Sequence, residues 1–158
     1  MNAITELDAD VPAVRDDGST LRRKIERLEQ EMFTHPQLVI VPRHYFSDGI
    51  YAREIIIPKT TLITGKTHKY TQLNILSAGD ISVLTENGVV RVQAPFTIVS
   101  PPGTKRIAYA HEQSVWTTIL RTDLTDPDEI EDYFVVSTED QYLEFLELKS
   151  AGELPCPS

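Results

Sequence analysis

The sequence predicts a mainly β protein, a double-sheet barrel of the jelly-roll type with one helix before it and helices after it. Three observations predict this class. Between Tyr51 and Arg121, short runs rich in β-branched and aromatic residues recur at near-regular spacing, separated by Gly, Pro and Asn turns. An amphipathic helical pattern precedes them. An acidic stretch with helix-capping residues follows them.

The 158 residues suit one domain with extensions and divide into four segments. Residues 1–18 show no periodicity and are predicted to form a flexible arm. Residues 19–35 are predicted to hold the N-terminal helix, and residues 36–122 the barrel. Residues 123–158 are predicted to form an acidic helical extension.

The N-terminal helix carries a narrow apolar stripe. Its members recur at spacings of four, three and four, as on one face of a helix, and they are Leu21, Ile25, Leu28 and Met32. Such a stripe fits either a short coiled-coil seam between subunits or a contact with the protein's own barrel. Pro36 ends the helix, because the residue before a proline is pushed out of the α region. We predict the stripe as an oligomer contact.

The predicted strands follow at short intervals. Pro58 and Gly79 close two of them, and Asn87 with Gly88 is a hairpin signal between two others. The predicted strands span residues 38–41, 51–57, 68–75, 80–85, 89–92, 96–100, 105–111 and 114–121.

Two helices are predicted in the acidic extension. Asp126 precedes a proline, an arrangement typical of a helix start, so a short helix should occupy residues 127–133. Ser137 is predicted to cap a second helix over residues 138–149. Because most of its surface is apolar, it should pack on the barrel or on a neighbouring subunit, and Phe145 is predicted as an oligomer contact.

One segment inside the barrel carries the spacing of a known motif. Gly65 and Gly79 frame it, and His68 follows the first glycine by three residues. It resembles the first motif of the cupin superfamily, a glycine followed by His-x-His, a Glu and, seven residues later, a second glycine. Tyr70 stands at the position of the second His, and Gln72 at that of the Glu.

A second segment resembles the other cupin motif, Pro-x-Gly-x-x-His. Pro101 and Gly103 match it, and Arg106 stands in place of the His. The resemblance covers about residues 50 to 121, and the segment is also similar to small cupin-like proteins encoded by tailed bacteriophages. The resemblance implies a cupin-type double-stranded β-barrel.

The departures from these motifs argue against metal chemistry. A cupin metal site needs imidazole and carboxylate donors on one ion, and only His68 is kept among the four ligand positions. Tyr70 and Gln72 are poor ligands, and the guanidinium of Arg106 cannot deprotonate to bind a cation. We predict no metal, no cofactor and no catalytic residue.

The same positions predict a polar lumen. In the cupin register, alternate residues of the 68–75 strand face inward. Arg106 offers a fork of donors suited to carboxylate or phosphate, unless it pairs with an internal acid. The predicted ligand-binding residues are His68, Tyr70, Gln72, Asn74, Lys105 and Arg106.

Charge is unevenly distributed along the chain. The net charge is −9, yet residues 36–122 hold 9 bases and 5 acids, whereas residues 123–158 hold 1 base and 11 acids. The acidic ends argue against general nucleic-acid binding. No apolar run reaches the length of a membrane span, and the N-terminus has no secretion-signal pattern. The predicted location is a virion or the host cytoplasm.

The first functional hypothesis is a non-enzymatic structural or interaction protein, a bacteriophage virion component such as a capsid decoration or tail-associated subunit. It is expected to form a homo-oligomer and to contact other virion proteins, because apolar helices and sheet faces offer self-complementary surface. The alternative is a soluble protein that holds a small anionic ligand or a nucleotide in the barrel. The second alternative is a metal-dependent cupin enzyme.

Overall fold

The computed structural model describes residues 1–5 and 20–154 of the chain. These residues form twelve strands and three helices. In chain order they are β1 (Asn2–Ile4), α1 (Leu21–Met32), β2 (Arg43–Ser47), β3 (Ile50–Ile57), β4 (Leu62–Thr64), β5 (Thr67–His68), β6 (Gln72–Ala78), β7 (Asp80–Thr85), β8 (Gly88–Gln93), β9 (Phe96–Ser100), β10 (Ile107–Ala110), β11 (Ser114–Arg121), α2 (Pro127–Phe134), β12 (Val135–Val136) and α3 (Glu139–Ser150).

Two five-stranded antiparallel sheets form the body of the protein. The first sheet has the order β1-β4-β10-β7-β8, and the second has the order β2-β3-β11-β6-β9. A small third sheet pairs β12 with β5. The apolar core lies between the two large sheets and is built around Ile57, Leu76 and Ile81, which are at most 3 % exposed. This arrangement confirms the predicted cupin-type double-stranded β-barrel with flanking helices.

The helices begin at residues that cap their free N–H groups. Asp126 caps α2, as predicted from the sequence, and Thr20 caps α1. Thr138 caps α3 and forms a reciprocal capping box with Gln141, so the predicted cap Ser137 is wrong by one residue. Both residues have a hydroxyl, and only the helix register decides between them. No helix in the described ranges is long and apolar enough to cross a membrane.

The apolar stripe of α1 packs on the outer face of the first sheet. Ile25 and Met32 are each 1 % exposed and contact Ile4 and Ile107, while the other two stripe residues, Leu21 and Leu28, pack against the same cluster. The stripe is therefore covered within the chain, and its prediction as an oligomer contact is corrected. Each fully buried side chain of this kind contributes about 1.5–3 kcal/mol relative to exposure, so the helix is firmly held.

Ion pairs join α1 to the first turn of α3. The guanidinium of Arg22 lies against the carboxylate of Glu139, donates to the carbonyl of Gly103 at 3.1 Å and lies 4.7 Å from the ring centre of Tyr142. Glu139 is 1 % exposed, and its hydrogen bonds to Arg22 satisfy the buried carboxylate.

The predicted oligomer contact in α3 also lies inside the protein. Phe145 is buried, and its ring meets the ring of Tyr70 edge-on at 5.5 Å between centroids. The apolar residues of α3 that stay more exposed are Leu143, Leu146 and Leu148, at 36 % to 42 %. Phe145 therefore anchors the helix to its own barrel, and the prediction is corrected.

The N-terminal segment contains a strand that the sequence does not predict. Asn2–Ile4 pairs with β4, and Ala3 and Ile4 are buried, so the predicted flexible arm is wrong at these residues. Residues 6–18 of that arm lie outside the described residues. Three residues are too few to show a periodicity in the sequence, so this strand depends on its pairing with β4.

The start of the barrel also differs from prediction. Residues 38–41 are not a strand; they form an irregular segment whose Leu38 amide donates to the carbonyl of Ala3 at 2.8 Å. The first strand of the second sheet is instead β2, an exposed edge strand joined to β3 by a tight turn at Gly49, where φ is +72°. A positive φ favours glycine, so this turn is encoded locally.

Candidate ligand-binding cavity

A cavity of about 370 Å³ lies inside the barrel. The first sheet forms one wall with Ile63, Val83 and Ala108, and α2 contributes Ile130 and Phe134. This volume lies at the lower end of the range of small-molecule sites in proteins.

The opposite wall is polar because of strand register. In the second sheet, Arg53 pairs with Thr118, Thr118 pairs with Asn74, and His44 pairs with Arg53 on its other side. Residues paired directly across antiparallel strands point to the same face, and all four line the cavity. Arg53 is not among the residues predicted from the sequence. It lies on the same face of β3 as Tyr51, Ile55 and Ile57, and this two-residue spacing could have revealed it.

Arg106 is held at the cavity by a chain of hydrogen bonds. Thr118 Oγ1 donates to Asn74 Oδ1 at 2.8 Å, and Asn74 Nδ2 donates to Ser100 Oγ at 2.9 Å. Arg106 Nη2 donates to the same Ser100 hydroxyl. No ion pair of Arg53 or Arg106 occurs in the part of the chain that the structure describes. The pairing of Arg106 with an internal acid, left open by the sequence, is therefore not what holds this side chain.

Several buried polar atoms at the cavity have no hydrogen-bond partner among the described residues. They are His68 Nδ1, Gln72 Oε1, Arg106 Nε and Thr64 Oγ1, and all four residues line the cavity. A buried polar atom left unpaired costs about 1–3 kcal/mol. Their presence around one space indicates that water or a ligand satisfies them.

The electrostatics of the lumen keep His68 neutral. Burial, and then the positive charges of Arg53 and Arg106, lower the pKa of His68 from 6.5 to about 4. Burial also lowers the pKa of the Arg106 guanidinium, which remains charged at neutral pH. Lys66 pairs with Glu131 at 2.6 Å and lowers the pKa of that carboxyl. Both members of this pair line the cavity.

Four of the six predicted ligand-binding residues meet at the cavity: His68, Gln72, Asn74 and Arg106. Tyr70 does not, because the chain bends between β5 and β6 and the strand alternation is interrupted there. The ring of Tyr70 stacks on Tyr133 at 5.5 Å instead. Burial and a hydrogen bond with Tyr133 raise its pKa to about 12.

Lys105 is the other predicted residue that points away from the cavity. Its ammonium lies 3.0 Å from a carboxylate oxygen of Glu29 on α1, donates to the carbonyl of Gly65 at 3.0 Å, and its side chain is 1 % exposed. Lys105 and Arg106 are consecutive in an extended segment, so their side chains point to opposite faces. Lys105 therefore joins α1 to the barrel.

The donors at the cupin motif positions do not fit a metal ion. Of these positions, only His68 has a side chain typical of a ligand, and Arg106 places a positive charge in the same lumen. The described residues contain no group of three or more His, Cys, Asp or Glu side chains that could hold an ion. The absence of a metal from the protein itself stays a prediction.

The fold and the cavity define this chain as a cupin-type barrel with a ligand-sized lumen that has one apolar wall and one polar wall. No protein-family model and no curated protein matches it. Similar solved structures include a cupin-2 domain protein from Shewanella frigidimarina, 14 % identical, with a TM-score of 0.44 over 59 % of this chain and 90 % of that one. KdgF from a Halomonas species is 16 % identical, with a TM-score of 0.46 over 58 % and 84 %. An RmlC-like cupin from Shewanella frigidimarina is 14 % identical, with a TM-score of 0.43 over 65 % and 80 %.

Proposed function

We propose that the protein binds a small anionic ligand inside the barrel. One observation carries this proposal: Arg53 and Arg106 line the same cavity, and neither has a carboxylate partner in the part of the chain that the structure describes. Burying a charge without a counter-charge is costly, and an anion between the two guanidinium groups would remove that cost. It would also pair the free Nε–H of Arg106.

The role we propose is binding rather than catalysis. His68 is one of two imidazoles that line the cavity, the other being that of His44, and its pKa of about 4 makes it a weak base near neutral pH. The chain of hydrogen bonds from Thr118 through Asn74 and Ser100 to Arg106 holds a donor fork in place without a nucleophile beside a base. A preorganised fork of this kind suits recognition of a carboxylate or a phosphate.

A thermal-shift screen with small organic acids, nucleotides and inorganic phosphate tests the proposal. A bound anion at 100 times its Kd stabilises the folded state by about 2.7 kcal/mol, which raises Tm by several degrees for a domain of this size. Arg106→Ala should weaken binding about tenfold to a hundredfold, since a hydrogen bond to a charged group contributes about 1.5–3 kcal/mol. Arg106→Lys should also weaken it, because lysine lacks the bidentate fork.

Arg43→Ala is the matched control. Arg43 lies in the same sheet, but its side chain is 59 % exposed and pairs with Glu54 on the opposite face from Arg53. It should leave the ligand-induced rise in Tm unchanged. The proposal fails if no anion stabilises the wild type, or if Arg106→Ala is stabilised as much as Arg43→Ala.

A structural or interaction role is the second candidate, and one surface favours it. A row of five apolar residues crosses the outer face of the second sheet in register: Tyr45, Ala52, Ile119, Leu73 and Val99. Tyr45 and Val99, at the two ends of the row, are 51 % and 63 % exposed. A contiguous row of exposed apolar side chains is typical of an interaction surface. Light scattering tests the expected homo-oligomer, and mass spectrometry of purified virions tests the virion role, which stays a prediction.

A further inference from the structure

The two walls of the lumen differ in chemistry. On the first sheet, Ile63, Ala108 and Val83 lie side by side, since Ala108 pairs with both of the others. On the second sheet, the facing row holds Arg53 and Thr118. A ligand that fills the space therefore meets mainly hydrocarbon along this row of the first sheet, with the hydroxyl of Thr64 beside it, and meets charge and hydrogen-bonding groups on the other wall.

The charges around the lumen fit a single negative charge. The lining Lys and Arg side chains are Lys66, Arg53 and Arg106, and the lining acids are Asp128 and Glu131. These side chains hold one positive charge in excess, which one carboxylate neutralises. The α-amino group of Met1 also lines the cavity, and burial together with the charges of Lys66 and Arg53 lowers its pKa, which favours its neutral form. A phosphate monoester carries about 1.5–2 negative charges near neutral pH and would exceed the excess charge of the side chains.

The volume sets the size of the ligand. The cavity of about 370 Å³ equals the liquid volume of about a dozen waters at roughly 30 Å³ each. A ligand with about a dozen non-hydrogen atoms fills it. A carboxylate accounts for three of these atoms, so most of the ligand is its apolar part.

We infer that the ligand is an amphipathic monocarboxylate, with its carboxylate on Arg106 and Arg53 and an aliphatic or aromatic body of about nine carbons against the first sheet. This inference rests on the proposed function and specifies its ligand. A hydrophilic anion would place polar surface against Ile63, Ala108 and Val83 with nothing to pair it. A neutral hydrocarbon would leave both guanidinium groups unpaired.

Neighbouring polar groups complete the head-group site. The free Nε–H of Arg106 donates to a carboxylate oxygen, and neutral His68 donates from Nδ1 in one of its tautomers. The amide of Gln72 presents its NH₂ group when its two ends are exchanged. These donors surround a carboxylate without requiring a metal ion.

The protein contains its own reporter for this binding. Trp116 is the single tryptophan of the chain, and it lines the cavity. Its fluorescence can therefore be followed while the wild type is titrated with acetate, hexanoate, octanoate, decanoate, 1-decanol, succinate and inorganic phosphate. All amphiphiles are kept below the concentrations at which they form micelles.

We expect affinity to rise about fourfold for each added methylene up to decanoate, which has twelve non-hydrogen atoms, and to stop rising for longer chains. Decanol should bind at least tenfold more weakly than decanoate, and Arg106→Ala should remove most of this difference. Ala108→Leu adds three carbons to the apolar wall and should shorten the best chain by about three carbons. If that variant fails to fold, the wild-type series decides the question by itself.

The outcomes separate this inference from the proposed function. If acetate, succinate or phosphate binds as tightly as decanoate, the amphipathic ligand is wrong and anion binding stands. If decanol binds as tightly as decanoate, the carboxylate anchor is wrong, and anion binding loses its support as well. If nothing in the series binds, both are overturned.

Discussion

His68 should make the stability of the barrel depend on pH between 4 and 6.5. Its pKa is about 4 in the folded protein and 6.5 as a free side chain, because burial and two guanidinium groups disfavour the imidazolium. In this interval the unfolded chain binds a proton that the folded protein does not. The stability from neutral His68 is therefore complete above pH 6.5 and is lost as the pH falls towards 4. The full change is roughly 3 kcal/mol, at 1.36 kcal/mol per pKa unit.

Urea unfolding of the wild type and of His68→Gln at several pH values from 4 to 7.5 measures this change. Glutamine does not titrate, so the difference in unfolding free energy between the two proteins should shift by roughly 3 kcal/mol across the interval. Glu131 and other acids lose protons in part of the same range, and the comparison cancels their common contribution. His35→Gln, after the end of α1 and outside the lumen, is the matched control for replacing a histidine by glutamine. If the unfolding free energies of the wild type and His68→Gln differ by the same amount at every pH, the assigned environment of His68 is refuted.

Three further predictions address the frame of the barrel and its chemistry. Gly79→Ala should prevent folding or lower the free energy of unfolding by more than about 3 kcal/mol, since a Cβ there would lie 2.1 Å from Ser114 Oγ. Gly88 has a similar positive φ but open space around it, so Gly88→Ala is the control and should lower that free energy, measured by thermal unfolding, by only about 1–3 kcal/mol. Lys105→Ala should lower the free energy of unfolding by about 3–5 kcal/mol because it leaves Glu29 largely buried and unpaired. Adding Glu29→Gln to this variant should recover part of the loss. If the effects of the two substitutions are additive, the pairing is contradicted. Elemental analysis should find no stoichiometric transition metal, and one bound equivalent would overturn the non-enzymatic interpretation.

Local signals in the sequence determined most of the elements. Apolar residues at helical spacing predict α1, which the structure places at Leu21–Met32, and an aspartate followed by proline predicts the start of α2. Alternating strands and turn residues determined the barrel between Ile50 and Arg121. Hydrogen bonds within a helix and the pleat of a strand involve residues near one another in the chain, so short windows of sequence are enough to predict them.

Tertiary structure alone decided which faces meet. The stripe of α1 suits a second subunit as well as the barrel, and only the position of β1 and β10 beneath it resolves the choice. The bend between β5 and β6 turns Tyr70 out of the lumen, and the extended backbone before β10 sends Lys105 to α1 while Arg106 enters the cavity. Arg53 reaches the site through strand pairing with residues far away in sequence. Such contacts depend on the register between strands that are distant in sequence, and the periodicity of a short segment does not determine that register.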